Sequence, residues 1–141
     1  MTQRVTATYL IATLQDARAR TLELVNDLDQ EQLMGPKLPG VNPLRWEIGH
    51  IAYFYEFFIL RSLYGHDSIL GLKADELYDS IAVAHDTRWD LPLLSMTETL
   101  AYMNDVLEKV CAHLVNKNED GLASEQDSFI YQFGAFHEDM H

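Results

Sequence analysis

Cysteine and basic residues are scarce in this sequence, and each shortage excludes a class of protein. The single cysteine, Cys111, rules out an internal disulfide, so a reducing, cytoplasmic compartment is expected. Only 10 lysines and arginines stand against 22 aspartates and glutamates, which gives a net charge of −12. This excess argues against binding to nucleic acid or to an anionic membrane surface, because both attract positive charge.

Long apolar runs are also missing. The most apolar stretch, residues 48–63, is interrupted by His50, Glu56 and Arg61, and it is too short to span a bilayer. The N-terminal residues have no apolar core followed by small residues, so no signal peptide is predicted. The sequence does have 48% apolar residues in 141 positions, which is enough to build one globular domain over residues 1–141.

Four helical segments are predicted from apolar residues that recur at three- and four-residue spacing. These segments cover residues 6–28, 43–64 and 95–115, and a fourth starts near residue 124. A loop rich in glycine and proline separates the first two segments. Since no strand pairing is evident, the sequence predicts an all-α protein, a four-helix bundle.

The helix boundaries follow from capping signals. Asn42 and Pro43 predict the start of the second helix, as its N-cap and its first helical residue. Gly65 predicts its end. A capping box at residues 95–98 starts the third helix, and residues 116–121 end it.

The connection between helices two and three, residues 66–94, is unusually long. Such a length is uncommon in a compact domain unless the segment has a function. A short helix is predicted around residues 74–78, and the part that follows is rich in groups that bind ligands. The connection is therefore expected to cross one end of the bundle.

Histidines are prominent on faces predicted to point inward. The inward stripe of the fourth helix is predicted to contain Ile130, Phe133, His137 and either Met140 or His141. His137 and His141 are four residues apart, so they lie on one helix face about one turn of 5.4 Å from each other. Two other histidines, His66 and His113, are expected to be solvated or to cap a helix end.

His50 lies in the middle of the most apolar helix, and it completes a candidate metal site. Burying an unpaired imidazole costs free energy, and a shared metal ion would remove that cost for all three rings. We therefore predict a site formed by His50, His137 and His141, the alternative being hydrogen-bonded core histidines. Three neutral imidazoles leave room for water or substrate, and they suit zinc, ferrous iron or nickel.

Two carboxylates are candidates to support this site. Glu47 and Glu138 could each hydrogen-bond a ring N–H, while an ordinary exposed carboxylate is the alternative for both. Residues 137–141 also spell H-E-x-x-H, the zinc-protease pattern. A protease is disfavoured because its third ligand is expected downstream, whereas here the third histidine is upstream. No edge strand that could hold an extended substrate is predicted either.

Several segments resemble one enzyme family. Residues 42–54 contain Trp46-x-x-x-His50 and resemble the first iron-ligand helix in the DinB-like N-terminal domain of ergothioneine-type sulfoxide synthases. Residues 136–141 are similar to the family's H-E-x-x-H helix, which supplies the other two ligands. Residues 77–92 resemble a bacterial branch that includes selenoneine synthases. The resemblance implies an up-down-down-up bundle with a nonheme Fe(II) centre, on which oxygen drives C–S or C–Se bond formation to the imidazole carbon of trimethylhistidine.

The resemblance also assigns roles to single residues. The three histidines would be the ligands of ferrous iron in the parent enzyme, with zinc or nickel as alternatives in the isolated domain. The loop around His85 and Arg88 would face the thiol or selenium donor, whose carboxylate suits a guanidinium; a surface salt bridge is the alternative for Arg88. Met140, with Asp139, stands where many relatives have glutamines that contact substrate.

Members of that family carry a second domain that resembles formylglycine-generating enzymes. We expect this chain to be the N-terminal part of such a two-domain protein, with that C-terminal domain, a small-molecule thiol or selenium donor and a histidine betaine as partners. A homodimer is another way to cover the aromatic surplus of the second helix. Two alternative functions stay open: a free-standing DinB-like metal-dependent thiol S-transferase, and a non-catalytic interaction or dimerisation module with a vestigial site.

Overall fold

The computed structural model describes residues 4–115 and 121–141 and contains six α-helices in this part of the chain. These are α1 (Ala7–Val25), α2 (Gln30–Met34), α3 (Leu44–Tyr55), α4 (Lys73–Tyr78), α5 (Met96–Val115) and α6 (Glu125–Met140). No β-strand occurs among these residues, apart from an isolated bridge between Thr6 and Leu122. The all-α prediction is confirmed. No described helix is long and apolar enough to cross a membrane.

The four long helices run up, down, down and up. α1 and α6 are parallel, because their starts contact each other and their later turns do too. α3 is antiparallel to α6, and α5 is parallel to α3. Val5–Ser128 and Arg18–Glu138 are the contacts that fix α1 against α6. His50–His141 and Tyr64–Asp127 fix α3 against α6, and Arg45–Leu94 and Glu56–Tyr102 fix α3 against α5.

Most of the predicted helix ends are confirmed. The capping box of α5 forms, since the Ser95 N–H donates to Glu98 and the Glu98 N–H donates to the Ser95 hydroxyl, both at 3.1 Å. Ser124 is the N-cap of α6, and Gly65 ends the second long helix with φ +71°. The predicted end of the third helix lies mainly outside the described residues.

The predicted start of α3 is wrong by one residue. Pro43 is the N-cap and Leu44 is the first helical residue, and no side chain caps this end. The side chain of Asn42 instead donates to the carboxylate of Glu47 and accepts from Arg88. Asn42 is thus committed to tertiary contacts, which outweigh its local preference for capping.

The second long helix does not stay α-helical. After Tyr55 the chain forms a π-helix over Glu56–Arg61, a wider turn that the apolar pattern does not predict. Glu56 is fully buried there, and its carboxylate accepts hydrogen bonds from the Tyr102 hydroxyl at 2.6 Å and the Ile69 N–H at 2.7 Å. The long connection, whose predicted short helix is confirmed as α4, is thereby fixed to the bundle.

The predicted inward face of α6 is partly wrong. Phe133 is 48% exposed and Met140 is 79% exposed, whereas Tyr131 and Glu138 are buried. The buried polar groups have partners, since the Tyr131 hydroxyl donates to the Val110 carbonyl at 2.7 Å. Because paired polar groups can be buried at little cost, the helix is rotated away from the orientation that apolar spacing alone indicates.

Glu138 connects all four long helices. The residue is 2% exposed. One carboxylate oxygen accepts from Arg18 Nε at 3.1 Å and from the Thr21 hydroxyl at 2.8 Å, and the other accepts from the Tyr55 hydroxyl at 2.9 Å. Arg18 also donates to the Met103 carbonyl at 2.7 Å. α1, α3, α5 and α6 therefore meet at one buried ion pair.

Replacing Glu138 by glutamine should strongly destabilise the fold. The change leaves the buried Arg18 cation without its anion, and breaking such a pair costs about 3–5 kcal/mol. The matched control is Asp139→Asn, which removes an exposed pair with Arg20 worth at most about 1 kcal/mol. Urea unfolding monitored by circular dichroism measures both free energies of unfolding. Equal losses in the two variants would contradict the role given to Glu138.

Candidate metal centre

Three histidine side chains meet at one end of the bundle. His50 comes from α3, His137 comes from the last turn of α6, and His141 is the C-cap that directly follows that helix. One nitrogen from each ring can be chosen so that all three atoms lie within 4.8 Å of one another. Two nitrogens that bind one ion about 2.1 Å from each can be at most about 4.2 Å apart. This is less than 4.8 Å, so the rings must move slightly closer together to share an ion. No other group of three or more candidate ligands is found in the described part of the chain.

His50 is held in one tautomer. Its ring is buried, and Nδ1 lies 2.8 Å from the Tyr78 carbonyl oxygen. A carbonyl can only accept, so Nδ1 carries the proton and Nε2 keeps its lone pair. The ring also stacks on Trp46, with centroids 4.7 Å apart and planes 9° apart. Burial lowers the pKa of His50, which favours the neutral form that binds metals.

His137 contributes a polar atom that lacks a partner. Its ring stacks on Phe54 at 3.9 Å between centroids, and its Nδ1 is buried with no hydrogen-bond partner. Burial, with smaller effects from His50 and His141, lowers the pKa of His137 to about 3. An unpaired buried nitrogen costs free energy, and a shared metal ion would remove this cost. The residues present therefore fit a metal ion.

His141 is oriented by a carboxylate. Its Nδ1 lies 2.5 Å from an oxygen of Glu47, and the other Glu47 oxygen accepts from Asn42 Nδ2 at 2.7 Å. Burial raises the pKa of Glu47, but the hydrogen bonds from His141 and Asn42 outweigh it, so this pKa lies below its usual range. Glu47 thus occupies the position expected of a carboxylate that supports a ligand ring.

Three other predicted site residues do not join the histidines. Glu138 faces away from them, because its carboxylate is taken up by the contacts with Arg18, Thr21 and Tyr55 described above. The side chain of Met140 lies on the outer surface. His85 contacts the Val41 carbonyl and the edge of the Trp89 ring.

Arg88 lies near the site, but in neither of the expected roles. The residue is 8% exposed, and its guanidinium carbon lies 4.0 Å from the centroid of the Trp46 ring. Its terminal nitrogens donate to Asn42 Oδ1 at 2.8 Å and to the carbonyls of Val83 and Ser80 at 2.9 and 3.1 Å. Arg88 is therefore neither part of a surface salt bridge nor open to an external carboxylate.

A groove of about 270 Å³ opens beside His50 and His137. Its other walls are mainly aromatic, and they include one carboxylate and two hydroxyl groups. The lining residues are Tyr53, Phe54, Phe57, Phe58, Asp79, Ser80 and Ile81. The aromatic side chains come from the apolar stretch of the second long helix, and the rest come from the long connection.

Residues 13–141 match the sequence profile of the DinB superfamily. The chain belongs to the DinB superfamily. This DinB domain is 34% identical over 129 residues to a hercynine oxygenase of Mycobacterium tuberculosis, covering 91% of this chain and 29% of that protein. It is 33% identical over 132 residues to a hercynine oxygenase of Mycolicibacterium thermoresistibile, and this match covers 91% of this chain and 28% of that protein. The chain thus spans less than a third of the length of these relatives, and the predicted DinB-like family is confirmed.

Gly49 should be essential for the placement of His50. A methyl group at this position would overlap the ring of Tyr78, whose carbonyl holds the His50 Nδ1 proton. We expect Gly49→Ala to destabilise the fold by about 1–3 kcal/mol through overpacking, although alanine gains about 1 kcal/mol in helix propensity. Denaturant unfolding and the imidazole ¹⁵N resonances of His50 measure the two effects.

Gly134→Ala provides the matched control for Gly49→Ala. Its added methyl would approach Tyr55 Cε1 to 2.6 Å, so the overpacking is similar, but Tyr78 is untouched. Both variants should lose stability, while Gly49→Ala should shift the His50 resonances more, because Gly134→Ala affects His50 only through α6. Unchanged His50 resonances in Gly49→Ala would refute this role of Gly49.

Proposed function

We propose that this DinB domain is the metal-binding part of an O2-dependent nonheme Fe(II) enzyme that forms a C–S or C–Se bond on a histidine-derived imidazole. The observation that carries the proposal is the convergence of three imidazoles. Burial lowers the pKa of both His50 and His137, which favours their neutral forms, and the buried Nδ1 of His137 has no hydrogen-bond partner. The similarity to proteins named hercynine oxygenases supports the same class of reaction.

The residues of this chain would hold the ion and fix its orientation. His50, His137 and His141 would bind it from one side, which leaves its remaining positions open for substrates. A bound Fe(II) would supply the one-electron chemistry with oxygen that the bond formation needs. The stacking of Trp46 on His50 and of Phe54 on His137 limits ring rotation, so both rings are largely oriented before an ion binds.

The aromatic groove is the proposed substrate side of the centre. An imidazole ring could stack on its phenylalanine walls, close to His50 and His137. At about 270 Å³ the groove is smaller than the roughly 300–1,000 Å³ of typical ligand pockets. A histidine betaine together with a thiol or selenium donor therefore needs a further wall, which this domain does not supply by itself.

An apolar stripe on α6 supports a partner domain at this place. Phe129, Phe133, Phe136 and Met140 recur at helical spacing, and each is about half exposed or more. Such contiguous apolar surface on a soluble protein commonly marks an interaction site. We propose that a formylglycine-generating-enzyme-like domain of the parent protein covers this stripe, and the greater length of the relatives is compatible with such a domain.

Metal analysis tests the proposal directly. The domain purified with Fe(II), Ni(II) or Zn(II) should retain one ion per chain, and His137→Ala should lose it. His66→Ala is the matched control, because His66 pairs with His113 at the opposite end of the bundle and should leave the metal content unchanged. No stoichiometric metal in the unmodified domain would contradict the proposal and favour a non-catalytic interaction module.

The reaction itself is tested with the parent protein. Incubated with Fe(II), oxygen, a histidine betaine and a thiol or selenium donor, it should consume oxygen and form a C–S or C–Se product detectable by mass spectrometry. Thiol transfer that proceeds without oxygen would contradict the proposed reaction and favour a DinB-like S-transferase.

A further inference from the structure

A continuous line of polar contacts joins the long connection to a metal ligand. Arg88 Nη1 donates to Asn42 Oδ1 at 2.8 Å. Asn42 Nδ2 donates to one oxygen of Glu47 at 2.7 Å, and the other oxygen lies 2.5 Å from His141 Nδ1. The line therefore runs from Arg88 through two side chains to His141.

The direction of every contact in this line is fixed by chemistry. Arginine has only donors and a carboxylate has only acceptors. Asn42 must therefore turn its oxygen to Arg88 and its amino group to Glu47, so its amide has one allowed orientation. Glu47 can only accept, so a neutral His141 ring that donates across the 2.5 Å contact carries its proton on Nδ1 and keeps the Nε2 lone pair for an ion.

A second path leads from Arg88 to His50. The guanidinium lies over the Trp46 ring at 4.0 Å, and Trp46 stacks on the His50 ring at 4.7 Å. The Trp46 ring is itself held by a hydrogen bond from its Nε1 to the Leu77 carbonyl at 2.7 Å. Arg88 thus contacts the ring that supports one ligand and the amide that begins the line to another.

From these contacts we infer that Arg88 is a positioning residue of the metal centre, which fixes His141 through Asn42 and Glu47 and fixes His50 through Trp46. The inference rests on the proposed function for the identity of the ligands. It removes Arg88 from substrate recognition, since its terminal nitrogens are engaged and its Nε is buried. The carboxylate of a donor substrate must therefore be bound by other groups.

Titration of the domain with Ni²⁺ alone tests the inference. Arg88→Met keeps the apolar stem over Trp46 but removes every donor, and it should weaken Ni²⁺ binding about tenfold, the lower end of the 10–100-fold loss typical of such supporting residues. Arg88→Lys, which retains a charged donor, should recover part of that loss. The control is Arg45→Met, because Arg45 also donates to backbone carbonyls, those of Leu93 and Leu94.

A second readout needs no metal. In the metal-free wild-type domain the imidazole ¹⁵N shifts of His141 should show the Nδ1–H tautomer, whereas Arg88→Met should show a mixture of tautomers. A role limited to general stability would lower the unfolding temperature of Arg88→Met and Arg45→Met alike and leave the His141 tautomer unchanged. If Arg88→Met does not fold, Asn42→Ala breaks the same line at a half-buried residue and should give the same two changes.

The outcomes separate this inference from the proposed function. If the wild-type domain binds no Ni²⁺ but the His141 tautomer still changes between wild type and Arg88→Met, the metal centre is contradicted and the line of polar contacts is supported. Normal Ni²⁺ affinity together with an unchanged tautomer in Arg88→Met would overturn the positioning role. Equal losses of Ni²⁺ affinity in Arg88→Met and Arg45→Met would overturn it as well.

Discussion

The buried carboxylate of Glu138 is the constraint on which both the bundle and the candidate metal centre depend. Its three donors come from α1 and α3, so α6 can adopt only one rotation about its axis. Successive helix residues are about 100° apart, which places His137 and His141 about 100° and 60° round from Glu138 on the same side. That side faces His50 on α3. The ion pair that holds α6 in place therefore also aims both histidines.

The same rotation shows how far the sequence could predict the structure. Helix positions, caps and the three histidines follow from local spacing, and local spacing is visible in the sequence. The face of α6 that points into the bundle is not visible in the sequence, because counting apolar residues favours Phe133 over Glu138 as an inward residue. The partners that make burial of Glu138 favourable are about 120 residues away in the chain. The contact between Asn42 and Arg88 is not visible in local spacing for the same reason, since it joins segments 46 residues apart.

Topology explains why a connection is needed but not its length. α3 and α5 are parallel, so the chain must return along the bundle, a distance of about 27 Å for a helix of 12 plus 6 residues at about 1.5 Å per residue. About eight extended residues would cover that distance, far fewer than residues 66–94 provide. What links the connection to the site is that its path brings the Tyr78 carbonyl to His50 and Arg88 to Trp46. A segment required by the fold also supplies contacts that hold the proposed ligands.

The H-E-x-x-H pattern has a different meaning here from its meaning in zinc proteases. In those enzymes the glutamate acts as a general base, which requires a carboxylate with a free oxygen beside the metal-bound water. Glu138 is buried and its oxygens accept three hydrogen bonds on the side that faces α1 and α3, so it cannot take a proton from water at the histidines. The spacing of four residues serves two purposes in one turn: the histidines share a face that suits metal binding, and the glutamate between them fixes that face in the bundle.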